Sequence, residues 1–352
     1  MKPIKLTITG TVAQDTIIFP DGKKKKSLGG ILYNILPLAL LAPEEVVISP
    51  VCNLGTDIYE QVILHLKKFK NIDPRGVSRV KEKNNHVFLY YDRKWDKKEI
   101  LKGLVPKIKF LQIKPYLNSD YILINFISGL DIGLDSLRKM RAKTTARIFM
   151  DVHSLILGIK KNGERFYRAP KLWEEYLKTA DIVQMNLKEM QVLSGRNLYS
   201  KVELRKFAER ILSLGPVILL VTRGRGGASV YYRKKRIISY QTACLKIKDL
   251  VDPTGCGDVF SSGFLLAYLK TQDVELSSEF ANFLAGMKSR FSGIEGFLEF
   301  NPQKRLGALR KSEEIRRARV PALRKIKGLI RPRRIGRAPS PANLSFSELS
   351  LI

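Results

Sequence analysis

The stretch "VDPTGCGDVFSSGFLLAYL", Val251 to Leu269, sets two glycines around a cysteine, an aspartate directly after them and a long apolar run behind. The run has the length and apolar content of a buried helix. The first turn of such a helix leaves backbone N–H groups without intrahelical partners, and the helix dipole adds positive potential there. Gly255 and Gly257 let the chain curl so that these amides, with that of Cys256 between them, converge on one point. The product is a nest for an anion, or for charge that develops during a reaction. Asp258 sits at its edge, where a carboxylate can take a proton from a hydroxyl while the amides hold a phosphoryl group. An aspartate at this point also serves as a plain helix cap, so the motif needs company before it means chemistry.

Outward from this stretch, strand-like and helix-like patterns alternate over the first 300 residues. "KLTITGTV", "EVVISPVCNLG", "SDYILINFI", "ARIFMDV", "DIVQMN" and "PVILLVTRG" read as strands. "GGILYNILPLALLA" reads as a helix started by its glycines, and "DIYEQVILHLKKF", "LDSLRKMRAKT", "APKLWEEYLKTA", "LKEMQVLSG" and "KVELRKFAERILSLG" read as helices. Alternation of this kind predicts an α/β fold with a mostly parallel central sheet and helices on both faces. Two segments break the rhythm, "DTIIFPDGKKKK" and "NNHVFLYYDRK". They predict a small β flap beside the sheet, with lid strands near residues 15–28 and 86–92. The flap also offers a route to a homodimer.

The bulk composition bounds the rest. Three scattered cysteines form no CxxC pair, and three histidines are too few and too far apart for a histidine-rich metal site. The N-terminus reads as a strand, and the longest apolar run, "ILYNILPLALLA", is too short to span a bilayer. A soluble, cytoplasmic protein with no membrane partner is expected. The formal net charge of +30 attracts anions such as nucleotides and phosphosugars. From residue 301 on, 14 Lys and Arg stand against 3 acids, a net of +11. Residues 301–352 therefore read as a basic, partly disordered extension to a domain covering residues 1–300. Such a tail suits a polyanion, but few aromatics interleave with its charge, so nucleic-acid stacking has little support. No GxxxxGK[ST] element occurs.

The segment "DPTGCGDVF" resembles the signature D-[TP]-[TV]-G-A-G-D-x-F of the PfkB (ribokinase-like) family of carbohydrate and nucleoside kinases, with Cys256 where the family has alanine. Further elements resemble the family in order and spacing: "GTVAQD" with Asp15, "GGILYN" with Gly29, Gly30 and Asn34, "NLGTD", "NLKEMQVLSG" with Asn186 and Glu189, and "VTRGRGGASVYY" with Thr222 and Gly224. "ANFLAGMKSRFSG", with Asn282, is similar to the family's last helix beside the adenine. Asp151 and His153 of "MDVHS" stand where the family often has D-x-N.

The resemblance implies an ATP-dependent kinase. Asp258 would be the base, with Gly255, Cys256 and Gly257 as the anion hole. Asp15, Gly29, Gly30 and Asn34 would meet a sugar or nucleoside. Thr222, Gly224 and Asn282 would meet the nucleotide, and Asn186 and Glu189 would order Mg²⁺ through water. Asp252 matches the family position near a monovalent cation, which leaves room for K⁺. Asn34 also reads as a polar residue satisfied inside its helix. Ile31, Leu32 and Tyr33 depart from the small or polar residues that sugar kinases of the family often carry, which leaves the acceptor open. The competing reading is a kinase-fold protein whose basic tail docks nucleic acid.

Overall fold

The computed structural model of the chain describes residues 3–93, 96–243 and 250–298. The basic extension assigned to residues 301–352 lies outside the described residues. The chain opens with β1 (Ile4–Gly10), β2 (Val12–Ile18) and β3 (Lys24–Gly30), then a buried helix (Leu32–Leu41) and β4 (Val46–Gly55). Three further strands follow, β5 (Val77–Val80), β6 (His86–Tyr91) and β7 (Lys97–Lys102). Next come β8 (Tyr121–Asn125), β9 (Arg147–Asp151), β10 (Leu157–Ile159), β11 (Arg165–Tyr167) and β12 (Ile182–Asn186). The last strands are β13 (Ile218–Thr222), β14 (Ala228–Arg233) and β15 (Ile237–Thr242), followed by two long helices, Cys256–Thr271 and Val274–Lys288, and a short one, Glu295–Leu298.

Nine strands form the central sheet in the order β15-β14-β13-β12-β9-β8-β1-β4-β5. Pairing is parallel from β5 across to β13 and antiparallel only at β14 and β15. The parallel strands are buried on both faces, which is why they read as near-continuous apolar runs. One apolar cluster packs the helices Leu32–Leu41, Cys256–Thr271 and Val274–Lys288 on one face, and a second packs the helices between β8 and β13 on the other. The α/β architecture expected from the alternation is the one observed. Among the described residues no helix is long and apolar enough to cross a membrane.

Two boundaries differ from the sequence reading. "KLTITGTV" is not one strand, because the chain leaves the central sheet at Gly10 and enters a separate four-stranded sheet, β3-β2-β6-β7, at Val12. A side chain at position 10 would run into the carbonyl of Asn125, so the crossing needs glycine. The glycines of "GGILYN" do not start the following helix either. They end β3, paired with Ala13 and Val12, and the helix begins at Leu32.

Candidate active site

The parallel register brings the strand ends together. Gly10 pairs with Asn125, Asn125 with Asp151, and Asn186 with Thr222, so the C-terminal ends of β1, β8, β9, β12 and β13 form one row of polar residues. Open α/β sheets bind their ligands along such an edge. The helix Cys256–Thr271 points its N-terminus at this row.

Gly255 caps that helix with φ 80°, a left-handed conformation that glycine adopts without strain. A Cβ there would lie 2.5–2.7 Å from the ring atoms of Tyr33, so space forbids a side chain as well. The amide of Cys256 donates to the Pro253 carbonyl at 3.1 Å, which leaves the anion nest to the amides after it. Gly257 is exposed, and a Cβ built on it meets nothing within 4 Å. The nest therefore opens outward at Gly257.

Asp258 is buried, 5% exposed, yet its carboxylate is held rather than sealed off. Asn125 Nδ2 donates to Asp258 Oδ1 at 2.6 Å and to Asn34 Oδ1 at 2.9 Å. Asn34 in turn donates to the Asp258 carbonyl at 2.8 Å and to Ser261 Oγ at 2.9 Å. Asn34 is fully buried and its amide is spent on the start of the helix Cys256–Thr271. It thus sits as the satisfied polar residue of the two sequence readings, and behind Asp258 rather than beside it. Asn125 was missed in the sequence. Its signal was an amide closing an otherwise apolar strand, "YILIN".

Two further carboxylates face the same edge. Asn186 and Glu189 cap the helix Leu187–Ser194 reciprocally: the Glu189 amide donates to Asn186 Oδ1 at 2.9 Å, and the Asn186 amide to Glu189 Oε2 at 2.8 Å. Asp151 is buried at the end of β9 and accepts from Gln184 Nε2 at 2.7 Å, while the same amide donates to the Gly257 carbonyl at 2.9 Å. Burial pushes the Asp151 carboxyl well above the usual carboxylate range, and the negative charges of Glu189 and Asp258 push it the same way. Just after it, His153 holds a positive φ of 36°, a conformation more readily adopted by Asn, Asp and His than by other side chains.

This edge fits a hydrated Mg²⁺. Glu189 and Asp258 act on the buried Asp151 with negative charge, and among the described residues the buried oxygens Gln184 Oε1 and Asn125 Oδ1 have no hydrogen-bond partner. No group of three or more carboxylate, histidine or cysteine side chains among the described residues forms a closed metal cage. Mg²⁺ suits that situation, because it keeps most of its waters and leans on substrate phosphates.

The other sequence candidates are placed around this centre. Asp15 is buried on β2, and any side chain at Gly29 would collide with its Oδ2. Thr222 ends β13, and Gly224 opens an exposed turn before the antiparallel return of β14. Asn282 donates to Thr242 Oγ1 at 2.6 Å and to the Ala243 carbonyl at 2.9 Å, so it ties the last long helix to the end of β15. Asp252 is fully buried and packs against an unforeseen partner, Lys288, whose ammonium lies 3.9 Å from Asp252 Oδ2.

The chain is similar to known proteins in sequence and in fold. Residues 155–294 match the model of the pfkB family carbohydrate kinases. A cytidine kinase of Thermococcus kodakarensis is 27% identical over 275 residues, covering 77% of this chain and 91% of the relative. Among solved structures, a ribokinase from Giardia lamblia superposes with a TM-score of 0.68 at 15% identity, covering 84% of this chain and 96% of that one. A pyrophosphate-dependent kinase in the ribokinase family, complexed with a pyrophosphate analog and myo-inositol, superposes at 0.66 with 19% identity, covering 84% and 99%.

Three outcomes follow for the nest and the acidic edge. Gly257→Ala is expected to melt within a few degrees of wild type yet lose phosphoryl transfer, because its methyl enters only open space. Gly255→Ala is expected to cost about 2–4 kcal/mol in urea denaturation, from backbone strain and collision with Tyr33. Asp151 has a raised folded-state pKa, so its favourable contribution is present below the unfolded value and is lost as pH rises through the folded one. Asp151→Asn is therefore expected to raise the melting temperature at about pH 8 and to change it little near about pH 4. Equal melting shifts at both pH values would contradict the assignment.

Proposed function

Because the chain belongs to the PfkB family of carbohydrate and nucleoside kinases, we propose that it moves the γ-phosphate of ATP to a hydroxyl of a sugar or of a nucleoside's sugar ring. One observation carries the reading. A buried carboxylate, Asp258, is pinned by Asn125 at a helix N-terminus whose next amide, that of Gly257, opens on free space.

In this reading Asp258 takes the proton of the attacking hydroxyl, and Asn125 fixes the carboxylate so that it faces the acceptor. The first-turn amides that follow Cys256, led by that of Gly257, and the helix dipole stabilise charge on the migrating phosphoryl group, while Gly255 and Cys256 shape the turn that presents them. Mg²⁺, when bound, neutralises donor phosphate charge. Glu189 and Asp151 attract it through water, and Asn186 keeps Glu189 oriented. The turn after β13, with Thr222 and Gly224, and the helix carrying Asn282 flank the nucleotide.

Asp15 with Gly29 and Gly30 holds acceptor hydroxyls from the four-stranded flap, which acts as a lid. Hydroxyl-bonding groups of this kind discriminate strongly among acceptors. The similarity to a cytidine kinase over most of that relative's length favours a nucleoside acceptor. The edge strand β3 of the flap is the route we propose for a homodimer.

The test is ADP or phosphate release with ATP or pyrophosphate as donor against nucleosides, pentoses and hexoses, for wild type and Asp258→Asn. Turnover is expected with one acceptor class, and the variant is expected to lose about 10²–10⁴ in kcat with acceptor KM little changed. Equal turnover by both proteins would overturn the role of Asp258. No turnover with any pair, together with salt-sensitive nucleic-acid binding lost on deleting residues 301–352, would favour the docking reading instead.

A further inference from the structure

Lys288 is the last residue of the helix Val274–Lys288 and is fully buried, an uncommon place for a lysine. Its ammonium donates to the Phe291 carbonyl at 3.1 Å and to the Asp252 carbonyl at 3.3 Å. The Asp252 carboxylate lies farther off, at 3.9 Å. The ammonium also lies 5.3 Å from the centroid of the Tyr33 ring and 5.4 Å from that of Phe291. Backbone carbonyls, a carboxylate and two ring faces thus surround one positive charge. Such a cage suits a monovalent cation, and the chain supplies its own.

A K⁺ beside Asp252 therefore does not fit this structure. The ammonium already takes the oxygens that would face the ion, and its charge repels a second cation at contact distance. The other titratable groups near Lys288 are Asp258, Cys256 and Lys25, and Lys25 itself donates to the Ser292 carbonyl.

The cage is wired to the anion nest. Asp252 Oδ1 accepts from the Thr254 amide at 2.8 Å, and its Oδ2 accepts from Ser292 Oγ at 2.7 Å. The amides of Val251 and Asp252 both donate to the Ser289 carbonyl, the residue after Lys288. Tyr33, whose ring lies under the ammonium, packs against the Cα of Gly255. The turn that shapes the nest is thus clamped from both sides around this charge.

We propose that the Lys288 ammonium is a tethered internal cation that orders the Asp252–Gly255 turn, so that the chain needs no monovalent metal ion for phosphoryl transfer. The inference rests on the kinase reading for its functional half, while its structural half stands on the cage alone. Lys288 acts through the turn and touches neither donor nor acceptor, so it is a positioning residue.

The experiment compares full-length wild type and Lys288→Met in buffer whose only monovalent cation is tetramethylammonium, with K⁺ or NH₄⁺ then added to about 100 mM. Melting is followed in both proteins, and turnover with any acceptor they accept. Wild type is expected to change less than about twofold in kcat and to keep its melting temperature, since its cage is filled. Lys288→Met is expected to melt lower and to lose about tenfold or more in kcat with acceptor KM little changed. Added K⁺ or NH₄⁺ is expected to restore part of both losses saturably, which a purely packing role for Lys288 would not produce. Saturable activation or stabilisation of wild type by K⁺ overturns the proposal, as does a Lys288→Met protein indifferent to every cation. Absence of turnover with cation-independent wild-type melting and cation-rescued variant melting would count against the kinase reading and leave the tethered cation standing.

Discussion

The structure depends on one constraint: a carboxylate must be buried at a helix N-terminus without being lost to the protein interior. An unpaired buried charge is costly, and a fully paired one is inert. Asp258 is held between these limits by an amide chain from two other elements, Asn125 at the end of β8 and Asn34 inside the first helix. Each amide spends both its protons within the chain, one on Asp258 and the other on its neighbour in the network. Removing Asn125 would take the donor from both Asn34 Oδ1 and Asp258 Oδ1, at about 1–3 kcal/mol for each acceptor left unsatisfied. The sheet, the Leu32–Leu41 helix and the Cys256–Thr271 helix are thereby tied to one another through Asp258, the carboxylate proposed as the base.

Electrostatics around that group is arranged in two layers. At the mouth, the negative charges of Glu189 and Asp258 act on the buried Asp151, and a hydrated divalent ion with phosphates would offset them. Beneath the nest, Lys288 supplies positive charge inside a cage of carbonyls and ring faces. The mouth is open to an exchangeable ion, and the floor carries a permanent one. The strongly basic chain as a whole, at +30, favours the approach of anionic donors on top of this local design.

Much of this was legible in the sequence because it is local. The nest, its glycines and Asp258 lie within five residues, and the capping pair Asn186 and Glu189 lies three residues apart. Buried parallel strands announce themselves as apolar runs, so the architecture followed from their alternation with helices. What stayed hidden depends on contacts between distant segments. Asn34 and Asn125 are 91 residues apart, and only the parallel register brings Asn125 to Asp258. The glycines of "GGILYN" look like a helix start but are needed as a strand end that lets Asp15 approach. Lys288 looks like an ordinary basic residue closing a helix, where a lysine is favoured on the surface. Its burial is decided with Phe291, three residues on, by Tyr33 and Asp252, which its own neighbourhood does not reveal.

The most direct measurement of the central claim is a crystal structure with ADP, Mg²⁺, aluminium fluoride and an accepted sugar or nucleoside, mimicking the phosphoryl group in flight. The account predicts the fluoride ligands within about 3 Å of the first-turn amides at Gly257 and Asp258, with the acceptor hydroxyl on the Asp258 carboxylate. A mimic seated elsewhere along the sheet edge, with Asp258 turned away from the acceptor, would contradict it.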